Sequence, residues 1–315
     1  MRSLKPPVAL AVGMLAVVSV LALSAPVHAA PSSSTSMRAL PNPLYGVTVD
    51  NVSNSSAIVA SSRALGHMPV TRVYFDTKEP ATYYASALRA LQPASYVMGE
   101  LLDSSQARRI STAAYNKRVK SYLSVLGNSV DLWEIGNEVN GNWTGRYSTV
   151  DAKLTEAYNV VAAAGRRSAL TLYYNIGCGD GPKELDPIAF SQKYVPVAVR
   201  TGLDYVLLSY YEGNCRGIRP SVATWTAYFA RLHSLYPHAQ LGFGEIGMDT
   251  PATAATLGTA RSLMTYYYGL DITLPYYVGG YFWWYYYQDC LPFTTKPLWN
   301  TLQSAFTSEA GALSS

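Results

Sequence analysis

The chain has 315 residues, which is enough for one large domain or two small ones, and its 49% hydrophobic and 14% charged residues argue against an intrinsically disordered protein. The formal net charge of +4 falls by two if Arg2 and Lys5 are removed with a leader. So small a charge argues against nucleic acid or an anionic membrane as the partner.

Residues 1–29 have the pattern of a secretory signal peptide. Arg2 and Lys5 precede an apolar run from Val8 to Leu23, and the small residues up to Ala29 form a cleavage site. An uncleaved membrane anchor is the alternative, but the run is shorter than the roughly 20 apolar residues of a spanning helix. We therefore expect Sec export, a secreted or periplasmic location and no membrane partner after cleavage.

Residues 30–43 are rich in Ser and Pro and predict a flexible linker. Beyond the linker, apolar runs alternate with stretches that have helical periodicity. Continuous apolar runs are typical of parallel strands that are buried on both faces. The predicted strands are Tyr45–Val49, Val70–Phe75, Ser95–Leu101, Asp131–Gly136, Leu170–Tyr174, Tyr205–Ser209, Gln240–Gly244 and Gly279–Trp284. The predicted helices are Ser55–Leu65, Thr82–Leu91, Ser111–Leu126, Thr155–Arg167, Pro187–Thr201, Ser221–Tyr236, Ala252–Gly269 and Lys296–Phe306.

Eight strands that alternate with eight helices predict an α/β fold, specifically a single (β/α)8 TIM barrel over residues 44–306 with a C-terminal tail over residues 307–315. An open doubly wound sheet is the alternative, but no G-x-G-x-x-G motif follows the first predicted strand. Functional residues of a barrel lie at the carboxyl ends of its strands.

The three cysteines predict one disulfide and one free thiol in an oxidising compartment. Cys178 and Cys215 follow consecutive predicted strands, which favours that pair and leaves Cys290 free. No C-x-x-C or His-rich spacing indicates a metal site, and we expect neither a metal nor a cofactor.

Two glutamates follow the fourth and seventh predicted strands. Glu138 lies in Trp133-Glu134-Ile135-Gly136-Asn137-Glu138, and Glu245 ends Gly242-Phe243-Gly244-Glu245. A carboxylate at such a position is costly to bury unless it is paired or used, and the ordinary alternative is helix capping or pairing with an Arg. Glycoside cleavage needs two carboxyl groups that flank one bond, which predicts this chemistry for the pair.

Asn137-Glu138 after strand four, together with Glu245 after strand seven, resembles clan A of the glycoside hydrolases, the 4/7 superfamily. The resemblance covers about residues 42–306 and implies a retaining double displacement on a β-linked oligo- or polysaccharide. It implies that Glu138 is the acid/base and Glu245 the nucleophile. Asn137 would bind the sugar 2-hydroxyl.

Further positions match the clan. Arg72 matches the strand-two arginine that keeps the nucleophile ionised, although an ordinary buried salt bridge is the alternative. Tyr210 and Tyr211 point to opposite sides of a strand, and we choose Tyr211 as the donor to the nucleophile. Of Trp283 and Trp284, we choose Trp284 as the floor of the sugar site and assign the other to the core.

Other features leave the branch of the clan, and so the sugar, open. Glu100 stands where several branches carry a His, and it binds sugar or pairs with an Arg. Asp289 reaches sugar hydroxyls or is solvated, and Trp143 is a sugar platform or a plain loop aromatic. We expect a monomer with endo action; the alternatives are a transglycosidase that uses the same two Glu and a non-catalytic carbohydrate-binding barrel.

Overall fold

The computed structural model of the protein describes residues 37–179 and 184–312, with side chains up to residue 307. The predicted signal peptide, the first part of the predicted linker (residues 30–36) and the last three residues of the predicted tail lie outside the described residues. In the described part, no helix has the length and apolar character that a membrane crossing requires.

Eight parallel strands close into a barrel in chain order, and β1 pairs with both β2 and β8. The prediction of a single (β/α)8 TIM barrel is therefore confirmed. The strands are β1 (Leu44–Val49), β2 (Val70–Tyr74), β3 (Tyr96–Glu100), β4 (Leu132–Gly136), β5 (Ser168–Tyr173), β6 (Tyr205–Tyr210), β7 (Gln240–Ile246) and β8 (Tyr277–Trp283).

Helices cover the outside of the barrel, and their buried faces pack on the strands in one large apolar cluster. They are α1 (Ser55–Ala64), α2 (Ala81–Leu91), α3 (Ser104–Ala107), α4 (Thr112–Leu126), α5 (Tyr147–Ala163), α6 (Pro187–Tyr194), α7 (Val197–Gly202), α8 (Val222–His233), α9 (Leu257–Tyr268), α10 (Tyr286–Cys290) and α11 (Pro297–Ala312). A 3-10 turn, Asn142–Thr144, follows β4.

The helix predicted over Pro187–Thr201 is two helices. Val195 has extended backbone angles, and Pro196 follows it as the N-cap of α7. Proline disfavours the helical conformation of the residue before it, which explains the break. The short helices α3 and α10, of four and five residues, were not predicted because they are too short to show a helical period.

The last helix runs beyond its predicted end at Phe306, into the residues predicted as the C-terminal tail. Helix α11 ends at Ala312, and the Thr307 hydroxyl still donates to the Gln303 carbonyl one turn back. The prediction followed the apolar stripe, which stops at Phe306, whereas backbone hydrogen bonds continue a helix without burial.

Part of the predicted flexible linker is fastened to the barrel. The Arg38 guanidinium pairs with the Asp131 carboxylate and donates to the backbone carbonyls of Gln92 and Ser95, at 2.8 and 3.1 Å. Leu40 packs on the apolar layer that fills the amino-terminal end of the barrel interior. The Ser/Pro composition of this stretch predicted flexibility, but the contacts of Arg38 with several partners hold it against the barrel.

We expect Arg38→Ala to destabilise the fold by about 1 kcal/mol, because the Asp131 carboxylate, with only 7% of its side chain exposed, loses its cation. The Arg38 side chain is 35% exposed, so solvent screens part of the interaction and keeps the effect small. Urea unfolding measures it. Arg109→Ala, at an exposed arginine, is the control, and equal stability of both variants would contradict the anchoring role.

Candidate active site

A polar layer lies directly above the apolar layer of the barrel interior. Because strand side chains alternate with period two, residues two positions apart on a strand point to the same face. Five strands place an apolar residue in the lower layer and a fully buried polar residue above it. The pairs are Val70 and Arg72, Met98 and Glu100, Leu132 and Glu134, Ala169 and Thr171, and Leu207 and Ser209.

Arg72 is the centre of this layer and has no exposed surface. Its Nε and Nη2 donate to both oxygens of Glu134 at 2.7 and 3.1 Å, and its Nη1 donates to Glu245 at 2.8 Å. Its Nη2 also lies 3.2 Å from Glu100. The planar guanidinium therefore holds the carboxyl groups of Glu134 and Glu245 in fixed positions, because its donors form a rigid fork, and it lies against the third carboxyl group, that of Glu100.

Glu245, at the end of β7, receives hydrogen bonds from three different strands or strand ends. Besides Arg72, the Tyr211 hydroxyl donates to Oε1 at 2.6 Å and the Asn137 amide donates to Oε2 at 3.2 Å. Burial raises the pKa of Glu245, while the Arg72 charge and the Tyr211 hydrogen bond act to lower it. One cation and two further donors thus favour the anionic form of this carboxyl group and oppose the effect of its burial.

Glu138 has a different environment. Its two oxygens accept hydrogen bonds from the hydroxyls of Ser209, at 2.5 Å, and Ser104, at 2.8 Å, and it contacts no cation among the described residues. Burial and the charge of Glu245 raise the pKa of Glu138 to about 8, against the lowering effect of the two hydroxyls. This environment favours the protonated form of Glu138 at neutral pH.

The turn after β4 brings two adjacent side chains into the site. Alternation would send Asn137 and Glu138 to opposite sides, but Glu138 has a left-handed φ of 45°, which breaks the strand pattern. Asn137 then contacts Glu245, and its Oδ1 accepts from the backbone N–H of Ser104 at 3.0 Å. A strained backbone at a polar, buried residue is typical of functional sites.

The two glutamates share one cleft of about 580 Å³ at the carboxyl end of the barrel. Ser209 links them, since it pairs in register with Glu245 on β7 and its hydroxyl donates to Glu138. Aromatic rings line the walls of the cleft, and such rings can stack on the apolar faces of sugars. The aromatic lining residues are Trp143, Tyr173, Tyr211, Trp284 and Tyr285.

The two tryptophans after Phe282 lie in different surroundings. Trp284 lines the cleft, and the Arg72 guanidinium carbon lies 5.4 Å from its ring centre. Trp283 is fully buried, and its Nε1 donates to Asp289 at 2.8 Å. Asp289 also accepts from the backbone N–H of Ala252 at 2.8 Å. The suggestion that Asp289 binds sugar or is solvated is therefore wrong, because two donors in the protein hold this carboxylate in the interior.

The remaining sequence candidates have defined positions. Tyr210 points away from the cleft, and its hydroxyl donates to the Ile218 carbonyl at 2.6 Å. Trp143 lies on the cleft wall with its ring edge-on to Tyr173. The predicted disulfide between Cys178 and Cys215 is confirmed, with Cα atoms 5.0 Å apart, and it joins the loops that follow β5 and β6. Cys290 is a buried free thiol.

Sequence reasoning missed several residues that support the two glutamates. Ser104 is the first residue of α3, a helix that was not predicted, and its hydroxyl donates to Glu138. Thr171, whose hydroxyl donates to Glu134 at 2.5 Å, is a polar residue inside an apolar strand. A pattern in the sequence could have identified Thr171, Glu134 and Ser209. Each is a polar residue two positions after an apolar residue of the lower layer.

No protein-family model matches the chain, and no curated protein matches it in sequence. Solved structures do match in fold. A GH10 xylanase from Bispora sp. MEY-1 with xylobiose aligns with a TM-score of 0.53 at 15% identity, over 77% of this chain and 83% of that chain. A glucosidase from Croceicoccus marinus aligns with a TM-score of 0.56 at 12% identity, over 84% of this chain and 67% of that chain. The PgaB (BpsB) glycoside hydrolase domain from Bordetella bronchiseptica aligns with a TM-score of 0.52 at 11% identity, over 84% and 99%. At these identities the likeness establishes the shared barrel fold.

Proposed function

We propose that the protein is a retaining glycoside hydrolase of clan A that cleaves β-linked glycans. The observation that carries the proposal is the contrast between two buried carboxyl groups in one cleft. Glu245 lies against Arg72, while Glu138 has two serine hydroxyls and no cation among the described residues. Such a pair supplies one anion and one acid at the same pH.

In the first step, a Glu245 oxygen attacks the anomeric carbon and forms a covalent glycosyl ester. The bond from that carbon to the leaving oxygen breaks, and Glu138 gives its proton to that oxygen. In the second step, Glu138 takes a proton from water, whose oxygen attacks the anomeric carbon and releases Glu245. Two inversions at one carbon give net retention.

The walls of the cleft suit a bound sugar. Trp284 offers a ring face beside Arg72 for the sugar at the cleavage point. The Asn137 amide uses one N–H on Glu245, which leaves the second N–H for a sugar hydroxyl. Fold similarity to a xylanase and a glucosidase supports a carbohydrate as the substrate. An open cleft with aromatic walls favours endo action on a polysaccharide.

Export is part of the proposal. The Cys178–Cys215 disulfide favours an oxidising compartment, in agreement with the signal peptide predicted over residues 1–29. A secreted enzyme would meet polysaccharides that cannot enter the cell. Mass spectrometry of the mature protein from the culture medium tests this, and a retained residue 1 would contradict cleavage.

Product stereochemistry tests the mechanism. We expect the purified protein to release reducing sugars from at least one of a panel of soluble β-glycans and from none of the α-linked controls. Proton NMR during the first minutes should show the β-anomer of the new reducing end before mutarotation. An initial α-anomer would indicate inversion and overturn the double displacement. Longer products at high substrate concentration would favour transglycosylation.

The pH profile should depend on Ser209. Activity requires protonated Glu138, so kcat/KM should fall as pH rises through about 8, the raised pKa of Glu138. The Ser209 hydrogen bond lowers that pKa, so Ser209→Ala should move the basic limb to higher pH. Ser304→Ala, whose hydroxyl donates to a backbone carbonyl of α11, is the control. An unmoved or lowered basic limb in Ser209→Ala would contradict the assignment of Glu138.

A further inference from the structure

Glu100, the last residue of β3, is a buried carboxyl group that the double displacement does not use. It has no exposed surface, and neither of its oxygens makes a hydrogen bond with a described residue. Within the part of the chain that the structure describes, its one ion pair is with Arg72, whose Nη2 lies 3.2 Å from Glu100 Oε2 without hydrogen-bond geometry. Such a group beside the Arg72 guanidinium needs an explanation, because a buried carboxylate without a hydrogen-bond donor is costly.

The charges around Arg72 do not balance if every carboxyl is ionised. The one guanidinium contacts three buried carboxyl groups. Glu134 and Glu245 both accept hydrogen bonds from Arg72, and each has a hydroxyl donor as well, from Thr171 and Tyr211 respectively. Glu100 has none of these donors, so it is the member of the three for which the neutral form costs least.

We propose that Glu100 is a positioning residue for the nucleophile and that it acts as a neutral carboxylic acid beside Arg72. Its carboxyl group fills the space on one side of the guanidinium and keeps the fork aligned on Glu134 and Glu245. This proposal rests on the proposed function, since it assigns a role in orienting Glu245 for attack.

The neutral state matters for the reaction. An ionised Glu100 would compete with Glu245 for the charge of Arg72 and would repel the nucleophile, which favours its protonated, inactive form. A neutral Glu100 leaves the guanidinium charge to the two carboxylates that receive its hydrogen bonds. Glu100 then orients Arg72 by contact alone and adds no negative charge beside Glu245.

The surroundings agree with a neutral acid. Burial raises the pKa of Glu100, and the negative charges of Glu134, Asp103 and Glu245 raise it further, against the lowering effect of Arg72. The titratable or charged groups that face Glu100 come from several elements. They are Arg72 and Tyr74 on β2, Asp103 after β3, Tyr115 on α4, Glu134 on β4 and Glu245 on β7.

Two substitutions separate shape from charge. Glu100→Gln keeps the shape and the absence of charge, so we expect kcat within about threefold of wild type and an unmoved acid limb of the kcat/KM profile. Glu100→Ala removes the packing against Arg72, so we expect kcat to fall about tenfold or more with little change in KM. Rescue of the Ala loss by Gln is the signature of positioning by a neutral group.

Infrared spectroscopy tests the protonation directly. At about pH 6, above the ordinary range of carboxyl groups, the wild-type protein should show a C=O stretching band of a protonated carboxylic acid that Glu100→Gln lacks. Glu138→Gln should remove a second, separate band, because Glu138 is also protonated there. A shift of both bands in heavy water identifies them as carboxylic acids, and the two variants assign them to Glu100 and Glu138.

Three outcomes would overturn the proposal. They are an acid limb that moves to lower pH in Glu100→Gln, which means that an anion was removed; identical infrared spectra of the wild type and Glu100→Gln; and wild-type kcat in a folded Glu100→Ala. If Glu100→Ala does not fold, the pH profile and spectrum of Glu100→Gln decide. Absence of turnover of every glycan by the wild type would end the proposed function, while the infrared band would still report on Glu100.

Discussion

Glu245→Gln is expected to lower kcat by about 10⁴-fold or more, the scale of loss when a covalent nucleophile is removed. The amide keeps the size of the side chain and its place against Arg72 and Tyr211, but it cannot form the glycosyl ester. Substrate contacts made by the cleft walls remain, so KM should change much less. Initial rates on the most active glycan of the panel measure both constants.

Asp249→Asn is the matched control. Asp249 lines the same cleft, its side chain is exposed, and the substitution makes the same change from carboxylate to amide. Because Asp249 makes no ion pair with Arg72, we expect nearly wild-type kcat. Comparable losses in both variants would point to a general effect of cleft charge. Full activity of folded Glu245→Gln would end the assignment of the nucleophile.

The order and number of strands could be predicted because each strand is an apolar run bounded by breaks. Parallel strands buried on both faces need apolar side chains along their length, and only the ends depart from this pattern. The boundary between linker and barrel could not be predicted in this way, because contacts between distant parts of the chain decide it. The Arg38 anchor joins the predicted linker to Asp131, 93 residues away, and no local pattern shows such a contact.

Some residues of the candidate site could be predicted from the sequence and others could not. Residues at strand ends could be predicted, since the closed barrel brings the ends of β2, β4, β6 and β7 to one mouth. Arg72, Asn137 and Tyr211 all contact Glu245 in the structure. Ser104 could not be predicted, because it lies on a four-residue helix that is too short to show a helical period and that meets Asn137, 33 residues away, through a hydrogen bond. The sequence identified Glu100 as a candidate. Whether it binds sugar or pairs with an arginine depends on contacts between strands, and the structure places it against Arg72.

Glu138→Ala should lower kcat on natural glycans by about 10²–10⁴-fold, which is the usual contribution of general acid–base catalysis. Natural glycans have poor leaving groups, so loss of the proton donor slows the first step. In aryl glycosides with an acidic phenol, the phenolate can leave without that proton. The first step should therefore stay fast, while the second step, which needs Glu138 as base, should be slow. A burst of phenol followed by a slow steady state is therefore expected in stopped-flow measurements.

Azide distinguishes the two carboxyl roles. In Glu138→Ala the removed carboxyl leaves space beside the glycosyl ester, and azide, which needs no general base, can attack the anomeric carbon in place of water. Since Glu245 has already inverted that carbon once, the second inversion should give a β-glycosyl azide and restore turnover. An α-glycosyl azide would mean a single displacement, and Glu138 would then be the nucleophile that the variant lacks.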